Sequence, residues 1–169
     1  ACVERGIAVV AAQTNANAVP VLDADRGRRI DGAWDALPEP RRGDWSNHVL
    51  TVLRRAAADF GPLHGGIDIA FSSTLPQAAG LSSSSALVVA LFAVLACRYG
   101  LDGHAGFRAA IHDAEDLAAY LAAVENGRAF RGFDAAAGVG TDGGSEDHTA
   151  VLCGRPDAIV LYAFLPTRF

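Results

Sequence analysis

Neither lysine nor methionine occurs in this chain of 169 residues, so all 14 basic side chains are arginine. Without lysine there is no Gly-x-x-x-x-Gly-Lys-Ser/Thr loop, which excludes that route to nucleotide binding. Without methionine, Ala1 is not expected to be the encoded start, and Glu4 and Arg5 interrupt any apolar leader. The three cysteines, Cys2, Cys97 and Cys153, are odd in number and share no metal-ligand spacing, which fits a reducing cytoplasm better than a disulfide framework. Cys97, at the end of an apolar stretch, reads as a small core residue. No apolar run approaches the roughly 18 to 20 residues needed to span a bilayer, since the longest, Ala86 to Cys97, stops at Arg98. A basic footprint is missing too: the net charge is −5 and the arginines are scattered apart from a few pairs, so neither membrane nor nucleic acid is expected as a partner.

What is present is apolar material for a sizeable core, 51% of the residues, in a length that suits one domain over 1–169. Gly6 to Ala12 and Ala18 to Leu22 are short apolar runs around Gln13-Thr14-Asn15, and they read as an antiparallel pair of strands. Asp23 to Arg42, rich in Asp, Arg, Gly and Pro, reads as a surface hairpin or loop that Trp34 and Leu37 tack to the core. From Asp44 the period becomes helical through Trp45, Val49, Val52, Leu53, Ala56 and Phe60, with Asp44 or Ser46 as cap and Gly61-Pro62 as the stop. His48 on this helix reads as an ordinary, partly exposed histidine. Gly66 to Phe71 alternates like a half-buried strand. Ala86 to Tyr99 is apolar almost all round the helical wheel, which predicts a buried helix. His104 to Val124 predicts one or two helices with Asp113, Glu115 and Asp116 on a solvated face. Gly127 to Gly144 reads as turns, Ser145 to Cys153 as a helix or strand, and Ala158 to Phe164 as a final strand.

Chemistry concentrates between the strand at 66–71 and the apolar helix, in Gly80-Leu81-Ser82-Ser83-Ser84-Ser85. A turn of this kind presents backbone N–H groups and hydroxyls at the positive end of a helix dipole, which favours an anion. Four serines suit a helix interior poorly, because serine competes with the backbone for hydrogen bonds. The plain alternative is a Ser-rich linker or a multi-serine N-cap.

Together with its flanks, Leu75-Pro76-Gln77-Ala78-Ala79-Gly80-Leu81-Ser82-Ser83-Ser84-Ser85-Ala86 resembles the Pro-x-x-x-Gly-Leu-Ser-Ser-Ser-Ala loop of the GHMP kinases, the superfamily of galactokinase, homoserine kinase, mevalonate kinase and phosphomevalonate kinase. Gly143-Gly144-Ser145-Glu146-Asp147-His148 is similar to the Gly-x-x-Asp-Gln segment carrying that family's catalytic aspartate. Gly43-Asp44-Trp45-Ser46-Asn47-His48-Val49 resembles the Trp-x-Asn-Tyr/His-Val segment of galactokinases. The resemblance implies an α+β fold with a left-handed βαβ phosphate-binding unit, the N-terminal domain of a two-domain enzyme whose second domain is largely absent here. It implies ATP and Mg²⁺ as cofactors and transfer of phosphate to a hydroxyl of a sugar, with galactose as the leading guess. Residues 80–85 would hold the nucleotide, Asp147 would be the base, and Gly144, Asp147 and His148 would meet the substrate. Ser84, or a neighbouring serine, and Glu125 would hold the metal. Two departures stand out. Glu125 precedes Asp147 by 22 positions, a longer gap than the family's, and His148 replaces glutamine, free either to bond a substrate hydroxyl or to pack. The N-terminal sugar-binding signature is missing, so a catalytically silent sugar or nucleotide sensor, or a mevalonate- or homoserine-type kinase, is the alternative.

Overall fold

The computed structural model describes residues 3–76, 80–164 and 167–168. One sheet of four strands carries the helices, in the order β1 (Ile7–Thr14), β4 (Gly66–Ser73), β2 (Val21–Asp23), β3 (Arg28–Ile30). The strand β4 is central because Ile67, Ile69 and Phe71 all bury on one face, so it gains by pairing on both edges. It runs antiparallel to β1, from Ile7↔Ser73 to Thr14↔Gly66, and parallel to β2, with Val21 opposite Ile69.

The expected pairing of the first two strands is therefore corrected: β4 lies between them. The cause sits at Gly66, where a side chain would collide with the carbonyls of Ala16 and Ala18. There the chain crosses the start of β4, held by Ile67 N donating to Ala18 O and Ile69 N to Pro20 O, both at 3.0 Å. That crossing delivers β2 to the far edge. The polar stretch that follows is the hairpin the composition predicts, closed by buried Asp23, which accepts from Arg26 N at 3.2 Å and from Arg28 Nη2 at 2.6 Å. Trp34 does tack it down, donating from Nε1 to Gly65 O at 3.2 Å.

Helix α1 (Ser46–Phe60) buries Val49, Val52, Leu53, Ala56 and Phe60 as its period requires, and Asp44 accepts from Ser46 N at 2.8 Å at its start. Helix α2 (Ser83–Tyr99) buries Leu87, Val88, Leu91, Phe92 and Leu95, yet Ala93 and Cys97 are exposed. The expected burial of α2 holds for most of its surface, and the correction concerns Cys97, which lies with Ala93 on a narrow exposed stripe rather than in the core. Cys2 lies outside the described residues. Helices α3 (Ala105–Ala110) and α4 (Ala114–Asn126) follow, then α5 (Glu146–Cys153).

The acidic face is solvated at Asp113 and partly shielded at Glu115 and Asp116. Asp113 caps α4 by accepting from Asp116 N at 2.7 Å, and Asp116 pairs with Arg131 at 2.6 Å. Only Ala163–Phe164 of the predicted last strand is extended, as β5 against β6 (Thr167–Arg168), because Ile159 and Leu161 find no sheet edge among the described residues. An aromatic cluster joins the layers: Phe60 of α1, Phe92 of α2, Tyr120 of α4 and Phe133 pack with ring centroids 5.3 to 6.2 Å apart.

Candidate active site

The turn from β4 into α2 is described from Gly80 onward, Gln77, Ala78 and Ala79 lying outside the described residues. Gly80 has φ +69° and Ser82 has φ +50°, both left-handed. Glycine takes this conformation freely, whereas serine resists it at a cost on the order of 1 to 2 kcal/mol. Strain of that kind persists where surroundings enforce it, and it gathers at ligand-binding turns. Ser82 occupies the N-cap position but makes no capping bond through its side chain. The plain N-cap explanation of the serines thus loses its support, and the first turn of α2 keeps amides without a side-chain cap.

Gly80, Leu81 and Ser82 border a cleft of about 590 Å³ whose other wall includes Ala86, Val89 and Ala90 of α2 and Asp147, Ala150 and Val151 of α5. Asp147 is exposed in the first turn of α5. Arg5 also lines this cleft and is steadied by its Nη1, which donates to Thr74 O at 3.2 Å. The sequence offered no signal for Arg5 beyond its charge. Of the three residues expected to meet substrate, only Asp147 borders this cleft. Gly144 lines a separate hollow of about 250 Å³ between α4 and the loop after it, and His148 is buried at 2% exposure.

His148 turns inward to Glu125. That carboxylate, near the C-terminal end of α4 and 6% exposed, accepts from Ser85 Oγ at 3.0 Å through Oε2. His148 Nε2 lies 3.0 Å from the same oxygen, within ion-pair reach but off the line of a well-formed hydrogen bond, and its Nδ1 has no hydrogen-bond partner. His48 of α1 faces the other oxygen, Nε2 to Oε1, at 3.7 Å. Burial alone would raise the Glu125 pKa, but His148, His48 and the Ser85 hydroxyl outweigh it and hold the carboxyl below the ordinary glutamate range.

The long interval between Glu125 and Asp147 does not separate them in space, because the intervening loop is closed at its neck. Val139 N donates to Glu125 O at 2.9 Å, and Gly138 approaches so closely that a Cβ there would stand 2.5 Å from Gly127 N. Asn126 Oδ1 then accepts from Gly143 N at 2.8 Å and Thr141 Oγ1 at 3.0 Å. Sequence reasoning passed over Asn126, although an Asn-Gly pair ending a helix is a recognisable turn signal. It also passed over His48 as an ordinary helical residue. Only the fold reveals that His48 meets a glutamate far along the chain.

A Mg²⁺ ion takes oxygen ligands and keeps much of its water. The Glu125 carboxylate with a serine hydroxyl fits such an ion, and the serine in contact is Ser85, while half-buried Ser84 makes no bond to Glu125. Among the described residues no group of three or more His, Cys, Asp or Glu side chains is spaced to hold a metal. Nor is any helix among them long and apolar enough to cross a membrane.

Comparison with known proteins bears on the family and the fold. The family profile described as "GHMP kinases N terminal domain" matches residues 47–154, which run from the second residue of α1 to the residue after α5. Among solved structures, the fold is similar to that of the mevalonate kinase of Methanococcus jannaschii, with a TM-score of 0.60 at 13% identity over 87% of this chain. The similarity spans 41% of that kinase's own length.

Proposed function

Because this chain belongs to the GHMP kinases through their N-terminal domain, we propose that it forms the nucleotide-binding and catalytic part of a kinase that transfers the γ-phosphate of ATP to a hydroxyl of a small molecule. The observation that carries this reading is the shared cleft: the Gly80–Ser82 turn and the Asp147 carboxylate border one space. Amides at the start of α2, with the hydroxyls of Ser83 and Ser84, would cradle the phosphates, and Arg5 would add positive charge. Asp147 would take the proton of the acceptor hydroxyl as its oxygen bonds to phosphorus and the bond to the leaving ADP breaks. Glu125 and Ser85, or Ser84 beside it, would hold a Mg²⁺ ion, which supplies charge neutralisation at the phosphates when bound.

A sugar is our choice of acceptor, and galactose the first to try. The support is the galactokinase-like segment around Trp45, which here is built into the site's framework. Trp45 packs on Phe71 with centroids 6.2 Å apart, Asn47 Nδ2 donates to Arg41 O at 2.8 Å, and His48 faces Glu125. A mevalonate-type acceptor is the second reading, favoured by the fold of the similar archaeal enzyme.

Calorimetric titration of the chain with the Mg²⁺ complex of a non-hydrolysable ATP analogue, beside a Ser83→Ala/Ser84→Ala variant, tests the reading. Ser85 stays intact because its hydroxyl serves Glu125. Saturable binding that weakens about tenfold or more in the variant is expected. No binding by the unaltered chain overturns the nucleotide assignment. Where the unaltered chain turns over, Asp147→Asn should lose about 10²- to 10⁴-fold in rate while keeping its nucleotide affinity.

A further inference from the structure

We propose that His148 is a positioning residue for the phosphate loop and not a substrate contact. It acts through Glu125, which joins four helices. The carboxylate belongs to α4, Ser85 in the first turn of α2 donates to it at 3.0 Å, His148 of α5 stands at 3.0 Å, and His48 of α1 closes the far side at 3.7 Å. Glu125 and His148 are both more than nine-tenths buried, and His148 has no other polar contact to account for its place in the core. A buried imidazole costs free energy unless a partner offsets it, so its position signals a constraint that packing alone would not demand.

The constraint has a direction. Asp147 precedes His148 in α5 and borders the cleft, while His148 is buried against Glu125 in the joint. The same turn of helix thus presents a carboxylate to the cleft and an imidazole to the acid that grips Ser85, one residue after the loop serines. Drawing His148 onto Glu125 fixes the distance between the start of α2 and the start of α5, the two walls that a phosphate donor and its acceptor would share. The inference rests on the proposed function only for what those walls hold; the mechanical link stands on the contacts alone.

The test compares His148→Ala, His148→Gln and, as a control that removes a polar contact to the other shielded acid, Tyr120→Phe, which loses the bond to Asp59. Amide hydrogen exchange at Ala86, Leu87 and Val88 reports the first turn of α2 without any ligand. We expect exchange about tenfold faster in His148→Ala, near the unaltered rate in His148→Gln, whose amide can donate to Glu125, and unchanged in Tyr120→Phe. Unchanged protection in His148→Ala, or equal acceleration in Tyr120→Phe, overturns the proposal. Affinity for the Mg²⁺ complex of the ATP analogue should follow the same order. Should exchange respond while a measurable affinity does not, coupling to the nucleotide is refuted. If the unaltered chain binds no nucleotide, the functional reading fails and exchange still decides the positioning claim.

Discussion

Two buried carboxylates, Asp59 and Glu125, stand in the helical layer, and their partners differ in kind. Asp59 Oδ2 accepts from Arg55 Nε at 2.7 Å and from Tyr120 Oη at 2.8 Å, and Arg55 goes on to donate to Arg128 O at 2.9 Å. Burial and the Asp59 charge push the Tyr120 phenol far up, so it stays a donor. This acid is held by a permanent cation and a phenol, beside the aromatic cluster and away from the cleft that Asp147 lines. Glu125 is held by a hydroxyl and two imidazoles, beside the first turn of α2. Both side chains are shielded from water; the donors separate an acid held by a permanent cation from one held by groups without a permanent charge.

Removing the guanidinium should produce the largest effect. Arg55→Ala strands Asp59 in the core at a cost of about 3 to 5 kcal/mol. That corresponds to a fall of about 6 to 20 °C in melting midpoint, and nucleotide affinity measured well below that midpoint should not move. Loss of affinity in the folded variant would erase the distinction between the two acids. Glu125→Gln should alter the acid limb of stability instead. Since the folded carboxyl titrates below its ordinary 4.5, its contribution is full above about pH 4.5 and is lost as pH falls through the lower folded value. The unaltered chain should therefore lose stability more steeply below pH 4.5 than the glutamine variant, as urea unfolding at successive pH values would show. Identical acid limbs would mean that the imidazoles and Ser85 do not favour the charged form. The smallest change belongs to an acid at the surface: Arg131→Ala, which breaks the Asp116 pair, should cost about 0.2 to 1 kcal/mol and less in high salt. A cost as large as that of Arg55→Ala would show that exposure matters less than this comparison holds.

Much of the layout was legible from period and punctuation. Helix α1 starts beside Asp44 and stops at Gly61, the strand at 66–73 alternates, and α2 begins within the serines. Strand pairing was not legible, because neighbouring apolar runs pair by default and the crowding at Gly66 is a three-dimensional fact. The hydrophobic wheel of α2 shows which residues tolerate burial, not what covers them, hence the misplaced Cys97. For the site, motif order marked the loop and Asp147, which border one cleft. The joint behind them was hidden, since His48, Ser85, Glu125 and His148 come from four helices and no short-range spacing links them. His148 was read with two fates open because an imidazole beside an aspartate can face either side of its helix.

The closed neck between Glu125 and Gly143 has a practical corollary for protein engineering. The Gly138 approach and the Asn126 bonds fix both feet of the loop, and Asp134 and Ala135 are exposed between Phe133, which is buried in the aromatic cluster, and Ala136 at the neck. A short epitope or protease site spliced between those two residues would be displayed on the surface while both feet stay in register, offering a handle for immobilising the chain with its cleft open.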